Sequence, residues 1–228
     1  MKRYHIAGLA VDMEASGRTK RQAAAYAAPA KNPADITITC DIRRVLELNP
    51  QYTDPDLAEY MALGAMFGRE LLRYDGFYLH ASAVTLNGKA YLFSAPSGTG
   101  KSTHTEKWCR LFGARYLNDD KPVLRLQNGQ WYAYGTPWSG KHDLSENIGA
   151  PIGGIAVLLR GQENEISPMT PAQAMPAILS QMFHRHTRQD MELQLALVDQ
   201  LLRQVPIWQL FCRNDDAAAY LSHSAMTE

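Results

Sequence analysis

Apolar and polar positions alternate over residues 3–11, and Ile36-Thr37-Ile38-Thr39 is a β-branched run, which predicts two strands separated by a polar stretch at 14–22 and an Ala/Pro loop. The two strands would form a small sheet. Asp54-Pro55 is a helix-opening pair, and Leu57, Tyr60, Met61, Phe67 and Leu71 follow at helical spacing, so a helix is predicted from residue 55 to about residue 74. Gly64 and Gly68 lie on that stripe, where they lower helix propensity but admit a close neighbour, and Gly76 is expected to end the helix. Strand patterns at 77–86 and 89–94 flank Asn87-Gly88, and those at 122–126 and 130–134 flank Asn128-Gly129, which predicts two hairpins. Between the hairpins come a glycine-rich segment, a helical stretch to about residue 112 and a strand at 115–117. Residues 135–151 read as a long loop. A short apolar strand at 155–159, helices at 171–183 and 191–203, a closing strand at 207–211 and a last helix at 216–222 complete the prediction. The order predicts a mixed α/β fold, with an N-terminal α+β region over 1–75 and a larger α/β unit over 76–228.

The 228 residues are 46% hydrophobic and 20% charged, enough to bury a sizeable core, which excludes disorder as the main state. Lysine plus arginine number 23 and aspartate plus glutamate 23, so no overall field draws the chain to nucleic acid or to an anionic membrane, and neither is expected as a partner. Cys40, Cys109 and Cys212 are far apart and odd in number, unlike a disulfide framework or metal knuckles, which predicts a reduced, cytoplasmic setting. The apolar stretches at 6–11 and 23–30 are too short for a signal core or a membrane span.

The strongest chemical signal is Ser97-Gly98-Thr99-Gly100-Lys101-Ser102-Thr103, which follows the predicted strand Tyr91-Leu92-Phe93-Ser94 and opens a helix. In a phosphate loop of the Walker A type the glycines let backbone N–H groups converge on phosphate oxygens, the helix N-terminus adds positive potential, and the lysine reaches the outer phosphates. Ser102 stands where a Mg²⁺ ligand belongs. The strict pattern asks for glycine six residues before the lysine, and Ala95 occupies that place. The sharp reading is a nucleoside triphosphate site; the bland one is a glycine turn that caps a helix.

Such a site needs an acid elsewhere, and Asn118-Asp119-Asp120-Lys121 offers two at a predicted strand end. Adjacent carboxylates point different ways, so one can bind Mg²⁺ while the other takes a proton from an attacking hydroxyl; alone, the segment would read as a solvated turn. His80 falls in the strand predicted beside the one ending in the loop, where a histidine is either a core residue or a neighbour of the site. In the 136–147 loop, Lys141 is a candidate phosphate clamp and Trp138 a candidate stacking surface, against the alternative of a surface loop with a packed tryptophan. Arg160 is a second candidate cation. His184, Arg185, His186 and Arg188 form a basic cluster at a predicted helix end that the helix dipole explains, and no Cys/His spacing supplies a zinc site.

Together His80, the Ser97–Ser102 loop residues and Asp119-Asp120 resemble the HPr kinase/phosphorylase family, whose catalytic domain is similar to phosphoenolpyruvate carboxykinase. The spacings, 21 residues from His80 to Lys101 and 18 from Lys101 to Asp119, fit that resemblance, which covers residues 77–159. It implies a carboxykinase-like P-loop core, ATP and Mg²⁺ as cofactors, and transfer of the γ-phosphoryl group to a serine hydroxyl of a protein or peptide. By the same resemblance Asp119 is the base, His80 stabilises charge beside the phosphates, and Ser102 and Asp120 hold the metal. Two departures stand out: the distal metal glutamate has only Asp143 and Glu146 as stand-ins, and the signature that docks the HPr protein has no counterpart. Residues 135–141 look instead like those of smaller, divergent relatives, some associated with tailoring of ribosomal peptides. A carboxykinase-type reaction on a small acid, a nucleotide-sensing module without turnover, and a homo-oligomeric state all stay open.

Overall fold

The structure, a computed structural model, describes residues 1–140, 142–182, 187–213 and 215–228. The 3–11 alternation is folded back on itself rather than forming one strand. Strands β1 (Lys2–Ile6) and β2 (Leu9–Met13) pair antiparallel across Ala7 and Gly8, whose φ values of 53° and 78° make the two-residue reversal that a twisted hairpin needs. The polar stretch carries a short helix, α1 (Gly17–Gln22), and β3 (Ile36–Ile38) joins β2 in parallel to give a three-stranded sheet. Helix α2 (Ile42–Leu48) is short and has no fully buried residue; Ile42, Val45 and Leu46 form its half-buried face. Helix α3 (Pro55–Leu71) starts where Asp54 accepts from the Asp56 N–H and runs into a 3-10 turn, Leu72–Tyr74. Asp75, at φ 53°, ends it, and Gly76 already belongs to the next strand.

The expected 77–86 strand is broken in two: β4 (Gly76–Tyr78) and β5 (Ala81–Leu86) are separated by Leu79 and His80. In the break, the Leu79 N–H bonds Pro122 O and the His80 N–H bonds Gln181 O, so the backbone leaves the ladder and β4 pairs with a different strand from β5. Strand β6 (Lys89–Ser94), helix α4 (Lys101–Phe112), β7 (Arg115–Asn118), β8 (Val123–Gln127) and β9 (Gln130–Tyr134) follow as the pattern predicts. Both Asn-Gly turns have positive φ at both positions. Strand β10 (Gly149–Arg160) is twice as long as the apolar run suggested, because its first residues pair with β9 and its last with β6 and β12 (Ile207–Cys212). A strand missed by the pattern, β11 (Glu165–Pro168), borders β12. Helix α5 (Pro171–Leu179) is shorter than expected, whereas α6 (Arg188–Gln204) and α7 (Asp216–Thr227) are longer.

The result is a mixed α/β fold around a curled nine-stranded sheet, ordered β4-β8-β9-β10-β6-β5-β7 with β12 and β11 branching from β10. Leu92, Ile155 and Ile207 face a core closed by α5 and α6, while Phe93, Ala156 and Leu210 face one closed by α4 and α7. This is the period-2 alternation of strands covered on both sides. A third core joins the N-terminal sheet and α3 to Tyr78, Val123 and Trp138, so buried packing crosses the helix–strand junction at 74–76. No helix among the described residues is long and apolar enough to cross a membrane.

Candidate active site

Sheet register assembles the site. Ala81 on β5 lies opposite Ser94 on β6, and Ala83 opposite Asn118 on β7, so the start of β5 and the ends of β6 and β7 share one sheet edge. His80, the glycine loop and the Asp pair therefore emerge together, although 21 and 18 residues separate them in the chain.

Lys101 begins α4 and is buried, its ammonium bonding Ala95 O at 2.8 Å and Pro96 O at 3.4 Å. Burial pulls its pKa down, and the charges of Asp120 and Asp119 oppose that shift, so both carboxylates lie within electrostatic range of the ammonium. Ala95, in the place of the expected glycine, is buried in the core that also holds Phe93 and Trp108. Gly98 and Gly100 have φ 78° and 114°, which a side chain rarely tolerates, and a Cβ on Gly98 would meet nothing. Ser97 and Gly98 are exposed in the loop, and Ser102 and Thr103 are exposed in the first turn of α4, whose N-terminus has no side-chain cap. Thr99 Oγ1 bonds Pro96 O at 2.9 Å, bracing the loop. The Thr99 N–H also bonds Pro96 O, at 3.3 Å. The uncapped N-terminus of α4, a lysine with carboxylates nearby and an accessible hydroxyl fit a phosphate chain with its metal.

The two acids diverge as expected. Asp119 is buried and accepts from Ser82 Oγ at 2.7 Å, with its own N–H on Leu144 O. Asp120 turns outward, to Lys121 Nζ at 2.6 Å and His80 Nε2 at 3.5 Å. Asn118 shapes this divergence: its Oδ1 accepts from the N–H groups of Asp120 and Lys121, and its Nδ2 donates to Thr136 O and Oγ1. His80 Nδ1 faces Gln181 Oε1 at 3.2 Å. Burial, seconded by Lys101, lowers the His80 pKa, and a neutral ring has one N–H to share between Gln181 and Asp120.

Two walls come from farther off. Arg160, at the end of β10, donates to Gly98 O at 2.7 Å, bringing that candidate cation to the glycine loop. Across the site, Gly140 lies against Asp120, where an added Cβ would stand 3.1 Å from the Asp120 Cβ. The Gly140 carbonyl is held by Arg18 and, at 2.9 Å, by Gln22, both on α1. Lys141, the other candidate cation, lies outside the described residues, as do His184, Arg185 and His186. Arg188 is not at a helix C-terminus: it opens α6, and Glu192 one turn on answers its charge at 2.9 Å.

Trp138 is not a stacking surface for a ligand. It is fully buried against Phe67, ring centroids 5.2 Å apart, with its N–H on Tyr60 O. Of the two stand-ins for a distal metal carboxylate, Glu146 pairs with Arg115 at 2.8 Å and Asp143 accepts from Ser139 Oγ at 2.9 Å. The sequence reading missed Ser82, Asn118, Thr136, Gln181 and the α1 pair Arg18 and Gln22. Asn118 alone carries a local signal, an Asx turn whose side chain bonds the N–H groups two and three residues on; the others meet the site only through sheet register or helix docking.

Fold and site together define a mixed α/β protein with a strand–glycine loop–helix unit facing an acid pair and a histidine. The chain belongs to the family described as SynChlorMet cassette protein ScmC, whose model matches residues 53–213. Among curated proteins none matches it. Among solved structures it is similar to the Hpr(Ser) kinase/phosphatase from Coxiella burnetii, at 12% identity and a TM-score of 0.39 over 66% of this chain and 99% of that one.

Proposed function

We propose that the protein is a Mg²⁺-dependent phosphotransferase that moves the γ-phosphoryl group of ATP to a hydroxyl, that of a serine in a protein or peptide. One observation carries the reading: a phosphate-loop lysine, a buried carboxylate and a histidine meet at a single sheet edge, the parts an in-line displacement requires. The backbone of Ser97, Gly98, Thr99 and Gly100, with Lys101, Ser102 and Thr103, cradles the phosphates, and Arg160 supports them from β10. Ser102 and Asp120 hold the Mg²⁺, which neutralises oxygen charge when bound. Asp119 keeps one oxygen on Ser82 and turns the other to the acceptor. The hydroxyl proton passes to that oxygen as the new O–P bond forms and the bond to the β-phosphate oxygen breaks, releasing ADP. Phosphate charge beside His80 favours its protonated form, which adds a donor where charge accumulates.

The test uses calorimetry with ATP and Mg²⁺, and γ-labelled ATP with serine peptides. Lys101→Ala is expected to lose nucleotide binding and transfer together. Asp119→Asn is expected to keep the nucleotide and lose about 10²–10⁴-fold in transfer, the usual worth of a general base. Full turnover in Asp119→Asn would overturn the base assignment. Bound ATP that is never consumed with any acceptor would replace the transferase by a nucleotide sensor.

A further inference from the structure

One residue holds both the backbone and the ring of His80. Gln181 sits in the turn that ends α5, with its own N–H on Ile178 O at 3.0 Å; its carbonyl accepts the His80 N–H at 2.9 Å, and its side-chain Oε1 faces His80 Nδ1 at 3.2 Å. Ser94, at the end of β6, donates to His80 O at 3.1 Å, so the His80 backbone is pinned from two sides. Which atom of the Gln181 amide faces the ring follows from its neighbour. Ser180 has one hydroxyl proton and gives it to Ala177 O at 2.7 Å, so toward Gln181 its Oγ can only accept, and the atom it accepts from, at 3.1 Å, is Nε2. Oε1 is thereby turned to the imidazole. An amide oxygen donates nothing, so a neutral ring bonds it only with the proton on Nδ1.

Asp120 asks for the opposite tautomer, and it is the weaker claimant. Its carboxylate faces His80 Nε2 from 3.5 Å, outside the ordinary N–H···O range, and its other oxygen is engaged by Lys121 Nζ at 2.6 Å. We infer that Gln181 is a positioning residue, which keeps the neutral His80 protonated on Nδ1 and leaves Nε2, on the Asp120 side, as the open nitrogen of the ring. The consequence rests on the phosphotransfer reading, in which His80 donates to accumulating phosphate charge. With a proton already on Nδ1, the nitrogen left to make that bond is Nε2, on the reacting side. With the tautomers reversed, the added N–H would point at α5 and the site would gain nothing.

The test is ¹H–¹⁵N NMR of the full chain at pH 8.5, well above the ordinary histidine pKa of about 6.5, where the ring is neutral. Nε2 couples to both ring C–H protons and Nδ1 strongly to one, and a bare nitrogen resonates far downfield of a protonated one; His80→Asn identifies the signals. Wild type is expected to show the bare nitrogen at Nε2. Gln181→Leu, which deletes the partner of Nδ1, is expected to move the proton to Nε2, toward Asp120, and Gln181→Glu, which restores an oxygen, to return it to Nδ1. A bare Nδ1 in wild type, or a pattern that Gln181→Leu leaves unchanged, would overturn the inference; the wild-type spectrum decides the tautomer whether or not that variant folds. With γ-labelled ATP and a serine peptide, Gln181→Leu is expected to lower kcat roughly tenfold, the worth of one hydrogen bond to a charged group, with the KM for ATP within about twofold of wild type, and Gln181→Glu to recover most of the loss. Equal losses in the two variants would overturn the positioning role. Absence of transfer in wild type counts against the phosphotransfer reading and leaves the tautomer to be decided by the spectra.

Discussion

His104, on the helix that follows the glycine loop, makes the stability of the fold depend on pH in a calculable way. The Ser222 hydroxyl donates its one proton to Ala219 O at 3.0 Å, so it accepts at 2.9 Å from Trp108 Nε1 and from His104 Nε2. That assignment puts the imidazole proton on Nε2 and leaves Nδ1 bare, buried and without a partner among the described residues. Protonating Nδ1 would create a buried cation with no acceptor, and burial together with Lys107 pushes the pKa down to about 4. In the unfolded chain the value returns to 6.5. A depressed folded value means that the unfolded state binds the proton first: the stabilisation is complete above pH 6.5 and is lost as pH falls toward 4. Between pH 7.5 and pH 5 the loss spans about 1.5 pH units at about 1.4 kcal/mol each, or about 2 kcal/mol. Urea unfolding at the two pH values measures it, and His104→Gln, which cannot titrate, supplies the comparison. The variant is less stable at pH 7.5, but its decline toward pH 5 is expected to be about 2 kcal/mol smaller than that of wild type. Equal declines would refute the buried, neutral imidazole.

Asn118→Ala removes acceptors from two backbone N–H groups and a donor from Thr136, so denaturant unfolding is expected to show a loss of about 2–3 kcal/mol and transfer activity to fall with it. Gly64→Ala adds a Cβ 2.7 Å from Trp138 Nε1, and the overpacking is expected to cost about 1–3 kcal/mol in the same assay. Ser82→Ala leaves the buried Asp119 carboxylate without its donor, so unfolding is expected to show a loss of about 1–3 kcal/mol; on the proposed function, transfer by the folded variant is expected to fall roughly tenfold with ATP affinity near wild type.

The glycine loop, both Asn-Gly hairpins and the α3 stripe could be read directly, because each is governed by neighbours a few residues apart: a turn that needs positive φ, a helix that buries every third or fourth side chain. The close approach expected at Gly64 and Gly68 is met by Trp138 and Tyr78. Where local pattern and long-range pairing compete, the reading failed. The 3–11 alternation concealed a hairpin because alternation continues through a reversal, and Ala7 is not a residue that announces one. The β4–β5 break is invisible in an apolar run, since it depends on Pro122 and Gln181 claiming the N–H groups of Leu79 and His80. Trp138 looked available in a polar loop and is core, because α3 has a glycine where the indole lies.

Local chemistry along the chain thus settled which residues carry charge, which turn has the backbone freedom of its glycines, and that two carboxylates would diverge, since all three depend on covalent neighbours. Tertiary structure alone decided that Asp119 meets Ser82, that Arg160 reaches Gly98 and that α1 grips Gly140 beside Asp120. Those contacts depend on sheet register and helix docking, which are set by burial over the whole molecule and leave no trace in any short stretch of sequence.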